Sequence, residues 1–275
     1  MERISVIGAG AWGTALAQML AAAGRTTQIW AREDDVVATI NTDHANPVFL
    51  PDVSLDQNLR ATTDLAEAAE ADLILLVTPA QFLRPVTAEL AKHLKPGVAV
   101  VVCAKGIEKD SFALMSEVLT ETLPDAPQAI LSGPTFAIEV AKGLPTAVTL
   151  ACADEALGGR IVEAVGQPHF RPYWTDDVIG AQIGGAVKNV LAIACGIVEG
   201  RQLGANARAA LMTRGLAEMV RYGTMRGGRG ETLMGLSGLG DLALTCNDSQ
   251  SRNMSLGMAL GAGRTMADIL AERRS

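Results

Sequence analysis

The feature that most constrains this chain is Gly8-Ala9-Gly10-Ala11-Trp12-Gly13. It follows the apolar run Ile4-Ser5-Val6-Ile7 and opens the Ala-, Leu- and Met-rich stretch Trp12 to Ala23, which Gly24 closes. A short apolar run, a glycine turn and a helix-like stretch read as strand, tight turn and helix. In that context the G-x-G-x-x-G spacing has a mechanism. Gly8 permits the turn, Gly10 lets the backbone approach a pyrophosphate, and Gly13 lets the helix pack on the sheet. The N–H groups of the first helical turn then face the anion. The spacing implies a dinucleotide cofactor and commits the first part of the chain to an α/β fold.

The remaining pattern extends that unit. Strand-like runs recur at Thr27 to Trp30, Leu73 to Val77, Val98 to Cys103, Gln128 to Leu131 and Ala147 to Ala151, with helix-like segments such as Phe82 to Leu94 and Ser111 to Leu123 between them. Alternation at this spacing predicts a Rossmann-type, doubly wound, mostly parallel sheet. A last unit, Glu155 to Val165 and Phe170 to Trp174, completes it, and beyond Asp176 only helix-like patterns follow. We expect a dinucleotide-binding domain over 1–178 and an all-α substrate-binding and catalytic domain over 179–275. A chain of 275 residues with 49% hydrophobic side chains can bury two such cores. His44 to Pro51 reads as a loop, and Gly227-Gly228-Arg229-Gly230 as a turn.

A net charge of -7 argues against a nucleic-acid surface, so a phosphate-bearing substrate must be met by a few individual cations. Cys103, Cys152, Cys195 and Cys246 form no Cys-x-x-Cys pair and sit mostly in apolar surroundings, which predicts reduced buried thiols and no metal site. Val178 to Val198 is long enough to span a membrane, but Lys188, Asn189 and Gln182 within it favour a buried helix of a helical bundle. Only a short apolar run separates Arg3 from Gly8, which makes no secretory leader, and the cytoplasm is the expected compartment. His44, His93 and His169 lie outside every motif and are read as surface or structural.

Several residues carry chemistry by position. The second strand ends in Trp30-Ala31-Arg32, where NAD enzymes usually place an acid. Arg32 is suited to a 2′-phosphate, and a charge-assisted contact of roughly 1.5–3 kcal/mol would favour NADP about ten- to hundredfold. Glu33 and Asp34 beside it work against that preference. Lys105, in Lys105-Gly106-Ile107-Glu108, and Ser132-Gly133-Pro134-Thr135-Phe136-Ala137 both follow strands, at the sheet edge where open α/β folds bind ligands. Lys188, next to Asn189, is the charge on an otherwise apolar helix and needs a partner. Burial depresses a lysine's pKa toward neutrality, the range for giving a proton to a carbonyl oxygen. Asp241, a lone carboxylate in Gly238-Leu239-Gly240-Asp241-Leu242, is the expected partner, and Thr245 shares its face if the segment is helical. Ser251-Arg252-Asn253 precedes a helix-like run from Met254, placing a guanidinium and small donors at a helix N-terminus suited to phosphate.

Taken together, GAGAWGTA from Gly8, KGIE from Lys105, SGPTFA from Ser132, the Lys188-Asn189 pair, GLGDL from Gly238 and SRN from Ser251 resemble the bacterial-type NAD(P)-dependent glycerol-3-phosphate dehydrogenases across the whole chain. The resemblance implies hydride transfer between NAD(P)H and dihydroxyacetone phosphate to give sn-glycerol 3-phosphate, the backbone of glycerophospholipids, usually in a homodimer. It makes Lys188 the proton donor, with Asp241 and Lys105 completing the catalytic network and Arg252 and Asn253 clamping the substrate phosphate. Gly133, Thr135 and Ser251 match substrate positions, and Trp12, Arg32, Lys105, Ala137 and Arg252 match cofactor positions. KGIE and GLGDL argue against a β-hydroxyacid or 6-phosphogluconate type dehydrogenase. A noncatalytic NADP sensor would have little reason to hold Lys188, Asp241 and Arg252 together. Two features depart from the family pattern. Thr135 stands where Ser is commoner, keeping the hydroxyl. Family members also normally continue beyond the position of Ser275, through further helices and an acidic cofactor contact.

Overall fold

The computed structural model describes residues 1–272. Its chain forms two compact units, one of residues 1–178 and one from Ile179 onward. In the first, eight strands make one sheet: β1 Arg3–Ile7, β2 Thr26–Trp30, β3 Arg60–Thr62, β4 Leu73–Leu76, β5 Ala99–Val102, β6 Gln128–Ser132, β7 Thr146–Ala151 and β8 Phe170–Thr175. Their order is β3-β2-β1-β4-β5-β6-β7-β8. Neighbours are parallel except β6 and β7, which run antiparallel. Every residue of β4 and β5 is buried, as expected of central strands covered by helices on both faces. The chain leaves β1 toward β2 on one side and returns to β4 on the other, so the sheet reverses direction beside β1, where such folds form a ligand crevice.

Three features differ from the sequence expectation. β3 has only three residues and gives no periodic signal. It exists because β2 offers it an edge, and because the Asn41 side chain closes its far side: Asn41 Nδ2 donates to Ala61 O at 2.9 Å and Ala61 N donates to Asn41 Oδ1 at 2.8 Å. The helix expected from Phe82 begins as a 3₁₀ turn at Ala80–Phe82 and continues as Leu83–Leu90. The helix expected from Ser111 starts only at Met115, because Ile107 and Leu114 form a bridge and Asp110 and Phe112 between them take positive φ. At the opposite sheet edge, Pro172 sits in β8. The His169 and Thr175 carbonyls accept from Thr146 N and Cys152 N, so the backbone groups of the even-numbered residues of β8 point away from β7, and Pro172 has no N–H to offer another strand.

The second unit is helical, built from Val178–Gly200, Ala205–Met225, Gly230–Met234, Asp241–Asn247, Arg252–Gly261 and Met266–Glu272. Val178–Gly200 is long and apolar enough to cross a membrane by length and composition alone. Its buried run Gly180–Ala186, with Lys188, Ala192, Cys195 and Gly196, packs inside the protein. Helix Arg252–Gly261 lies directly on its backbone: a Cβ on Gly196 would stand 2.2 Å from Met254 O, one on Gly200 2.2 Å from Met258 O, and one on Gly257 2.1 Å from Ile193 O. Only glycine permits that approach.

Gly257→Ala must therefore push the two helices apart, and overpacking of this kind costs about 1–3 kcal/mol. Gly159→Ala, in a helix where an added Cβ meets nothing within 4 Å, should gain up to about 1 kcal/mol from helix propensity. Urea unfolding of the two variants should move in opposite directions; equal midpoints would refute the packing argument.

Candidate active site

The glycine turn forms for steric reasons that can be read atom by atom. Gly8 has φ 118°, and a Cβ there would stand 3.0 Å from Thr78 N at the end of β4. A Cβ on Gly13 would lie 1.8 Å from Gly8 O, so the turn and the first helical turn interlock only without one. Gly10 differs: a Cβ there meets nothing within 4 Å. It caps helix Ala11–Ala22 with no side-chain acceptor, leaving the start of the helix unobstructed. An open, bare helix N-terminus beside the sheet's reversal fits a dinucleotide pyrophosphate. Ala11 and Trp12 open that helix, Trp12 partly buried against the core. Arg32, just past β2, is 77% exposed at its side chain and paired with Glu33 at 3.0 Å.

Lys105 follows β5, and its Nζ donates to Gly133 O at 2.7 Å. One contact thus joins the KGIE and SGPTFA segments. Gly133 has φ 152°, and Val148 of β7 leaves no room for a Cβ. Thr135 Oγ1 lies 3.4 Å from the same Gly133 O, and Ala137 begins helix Ala137–Ala141. The loop after Lys105 is anchored by residues the sequence gave no reason to select. Gln81 Nε2 donates to Ile107 O at 2.9 Å, and Lys109 N donates to Gln81 Oε1 at 2.8 Å. Arg84 Nε and Nη2 grip both oxygens of Glu108 at 2.9 and 2.8 Å, and Ser111 Oγ donates to Glu108 Oε2. Thr78 Oγ1 and Ser132 Oγ, at the carboxyl ends of β4 and β6, are buried and have no hydrogen-bond partner among the described residues. Ser132 opens the SGPTFA segment already singled out in the sequence, whereas the only sequence signal of Thr78 is a hydroxyl residue directly after a strand-like run.

In the helical unit, a Cβ on Gly184 would stand 2.3 Å from Ser237 O, which seats the π-helical segment Leu236–Gly240 against helix Val178–Gly200. One turn further on, the same helix face presents Lys188. Its Nζ lies 2.5 Å from Asp241 Oδ1 and donates to Thr245 Oγ1 at 3.0 Å. Asp241–Asn247 is helical, and Thr245 Oγ1 donates back to Asp241 O at 2.6 Å. Asp241 is fully buried and the Lys188 side chain 10% exposed, so the lysine Nζ is held in place by Asp241 and the Thr245 hydroxyl. Asn189 Oδ1 accepts from Asn253 Nδ2 at 2.9 Å. Ser251 caps helix Arg252–Gly261, its Oγ accepting from Met254 N, and Arg252 is the exposed first residue of that helix. The structure therefore brings Lys188, Asp241 and Thr245 together, and separately Asn189 with Asn253 beside Ser251 and Arg252. No cluster of metal-ligating side chains exists among the described residues. The four cysteines are buried free thiols, and burial pushes that of Cys103 up.

The family model for the N-terminus of NAD-dependent glycerol-3-phosphate dehydrogenase matches residues 3–158, and the model for its C-terminus matches residues 177–275. The chain belongs to the NAD-dependent glycerol-3-phosphate dehydrogenase family. A protein of Rhodospirillum rubrum named NAD(P)+ glycerol-3-phosphate dehydrogenase is 63% identical over 277 residues, covering 100% of this chain and 79% of that protein. One of the same name from Parvibaculum lavamentivorans is 60% identical over 274 residues, covering 100% and 82%. The crystal structure of glycerol-3-phosphate dehydrogenase from Coxiella burnetii superposes with a TM-score of 0.95 at 42% identity, over 98% of this chain and 83% of that one. Family membership and the Rossmann-type unit followed by a helical one thus agree.

The Arg84 guanidinium, helped by the Ser111 hydroxyl, holds the Glu108 carboxyl at about 2, below its ordinary 4.5. The lower value belongs to the folded state. The stabilisation is therefore complete above about pH 4.5 and is lost as pH falls from there toward 2. The stability difference between the wild type and Glu108→Gln should be constant from pH 7 to pH 5 and shrink at lower pH. A difference unchanged down to pH 3 would show that this pair does not anchor the loop.

Proposed function

We propose that this chain is an NAD(P)-dependent oxidoreductase that interconverts dihydroxyacetone phosphate and sn-glycerol 3-phosphate, supplying glycerophospholipid synthesis. The observation that carries the reading is the buried Lys188 held by Asp241 and Thr245 in a member of this family. A bound nicotinamide supplies the hydride, or takes it up in the reverse direction. Lys188 Nζ gives its proton to the carbonyl oxygen as the carbon is reduced, and recovers a proton from the hydroxyl in the reverse reaction. Asp241 and Thr245 fix the Lys188 Nζ in one place.

In this reading the unit of residues 1–178 binds the cofactor through Gly8, Gly10, Ala11, Trp12, Gly13, Arg32, Lys105 and Ala137. The helical unit binds substrate, with Arg252 and Asn253 on its phosphate and Arg252 also on the cofactor. Ser251, Asn189, Gly133, Thr135 and Lys105 complete the substrate contacts, and Lys105 joins the catalytic network. Arg32 favours NADP(H), and its ion pair with Glu33 must open to release the guanidinium for a 2′-phosphate. The enzyme works as a cytoplasmic homodimer. The non-pairing edge at Pro172 disfavours dimerisation by joining β8 strands.

The first test follows NADPH and NADH oxidation with dihydroxyacetone phosphate, against unphosphorylated dihydroxyacetone. Oxidation that depends on the phosphate supports the reading, and equal rates with both ketones would overturn it. Lys188→Ala should lower kcat by about a hundred- to ten-thousandfold while the dissociation constant for NADPH stays within about threefold, roughly 0.7 kcal/mol. A loss of cofactor affinity as large as the loss of turnover would remove Lys188 from the proton-transfer role. Arg252→Ala should raise KM for the phosphorylated ketone about ten- to hundredfold, the worth of a charge-assisted contact; an unchanged KM would exclude the clamp.

A further inference from the structure

Asn46 lies in the loop between helix Asp34–Asp43 and β3, far in sequence from every motif, yet it is 1% exposed. Each of its side-chain polar atoms is engaged. Nδ2 donates to Ala9 O at 2.9 Å and to Thr14 Oγ1 at 2.8 Å, and Oδ1 accepts from Phe49 N at 3.2 Å. The loop holds the residue in turn, since Asn46 O accepts from Leu50 N at 2.9 Å. Thr14, fully buried on helix Ala11–Ala22, donates its own hydroxyl to Ala9 O at 3.2 Å. The Ala9 carbonyl, in the middle of the glycine turn, is therefore pulled inward by two donors. A trans peptide is planar with its C=O and N–H on opposite sides. With the Ala9 carbonyl turned into the protein, the Gly10 N–H of the same peptide points the other way. Of the three glycines of the turn, Gly10 is the one at which a Cβ would meet nothing within 4 Å. The reverse orientation would present a carbonyl oxygen to any anion resting on the loop.

We propose that Asn46, acting with Thr14, is a positioning residue for cofactor binding: it holds the Ala9–Gly10 peptide with its carbonyl inward and its N–H toward the pyrophosphate of the dinucleotide. The inference rests on the reading of the glycine turn as the NAD(P) site. Preorganising the peptide removes a cost that binding would otherwise bear. Because the pyrophosphate is common to both cofactors, the effect is blind to the 2′-phosphate.

The test is Asn46→Asp, which keeps the shape, removes the amide donors and sets a carboxylate against the Ala9 carbonyl. Dissociation constants for NADH and NADPH are measured by nicotinamide fluorescence, alongside the melting temperature and steady-state kinetics. The expected result is that both dissociation constants rise about tenfold, roughly 1.4 kcal/mol, by the same factor. KM for the ketone and kcat at saturating cofactor should stay near wild type, a split that general loosening of the fold would not produce. Unchanged affinity in a folded variant overturns the proposal, as does a rise for one cofactor alone. If Asn46→Asp fails to fold, the pair Thr14→Ser and Thr14→Val reads the same contact from its other end. Serine should keep cofactor affinity and valine lose it, and equal affinities overturn the proposal. Wild-type protein that binds neither nucleotide would overturn the cofactor reading itself, and is told apart because it needs no variant.

Discussion

Backbone packed against backbone, with no side chain between, is the constraint on which this molecule depends. In the first unit, the carbonyl of Gly8 occupies the place a Cβ of Gly13 would take. In the second, the carbonyls of Ser237, Met254 and Met258 occupy the places that side chains on Gly184, Gly196 and Gly200 would fill. Protein interiors are close-packed, so an added methyl at such a point displaces a whole element. The functional groups inherit their positions from these contacts. The Gly8–Gly13 interlock opens the bare helix start, and the seat at Gly184 sets the π segment from which Asp241 continues.

Buried polar groups complete what the glycines begin, because each must find a partner where it lands. Lys188 finds Asp241 and Thr245 on one short helix, and Asn46 finds the carbonyl of Ala9 across 37 residues of sequence. A buried ion pair is weak evidence of stability, since desolvation offsets much of the attraction. It is better understood as fixing a geometry, which suits the proton-transfer role proposed for Lys188. The same logic extends to the loop after Lys105, where Arg84 and Gln81 hold Glu108 and Ile107 while Lys105 reaches Gly133.

Much of this was legible in the chain itself. The glycine spacing after Ile7 and the apolar runs of β4 and β5 report strongly because local sequence decides them: a positive φ selects glycine, and a strand buried on both faces must be apolar throughout. A lone lysine on an apolar helix and a lone aspartate among leucines likewise announce that each needs the other. β3 gave no signal because its three residues gain their structure from β2 and Asn41, not from their own pattern. The late start of the helix at Met115 depended on the bridge between Ile107 and Leu114, a pairing that periodicity cannot register.

The sequence by itself determined the α/β class of the first unit and the helical class of the second, and it singled out the candidate reactive residues, because these follow from periodicity, steric demand and the cost of unpaired charge. Tertiary structure alone decided which partners meet: Asn46 with the glycine turn, Arg84 with Glu108, Asn253 with Asn189. Each of those contacts joins residues more than 20 positions apart, and a hydrogen bond depends on distances that only the folded chain sets.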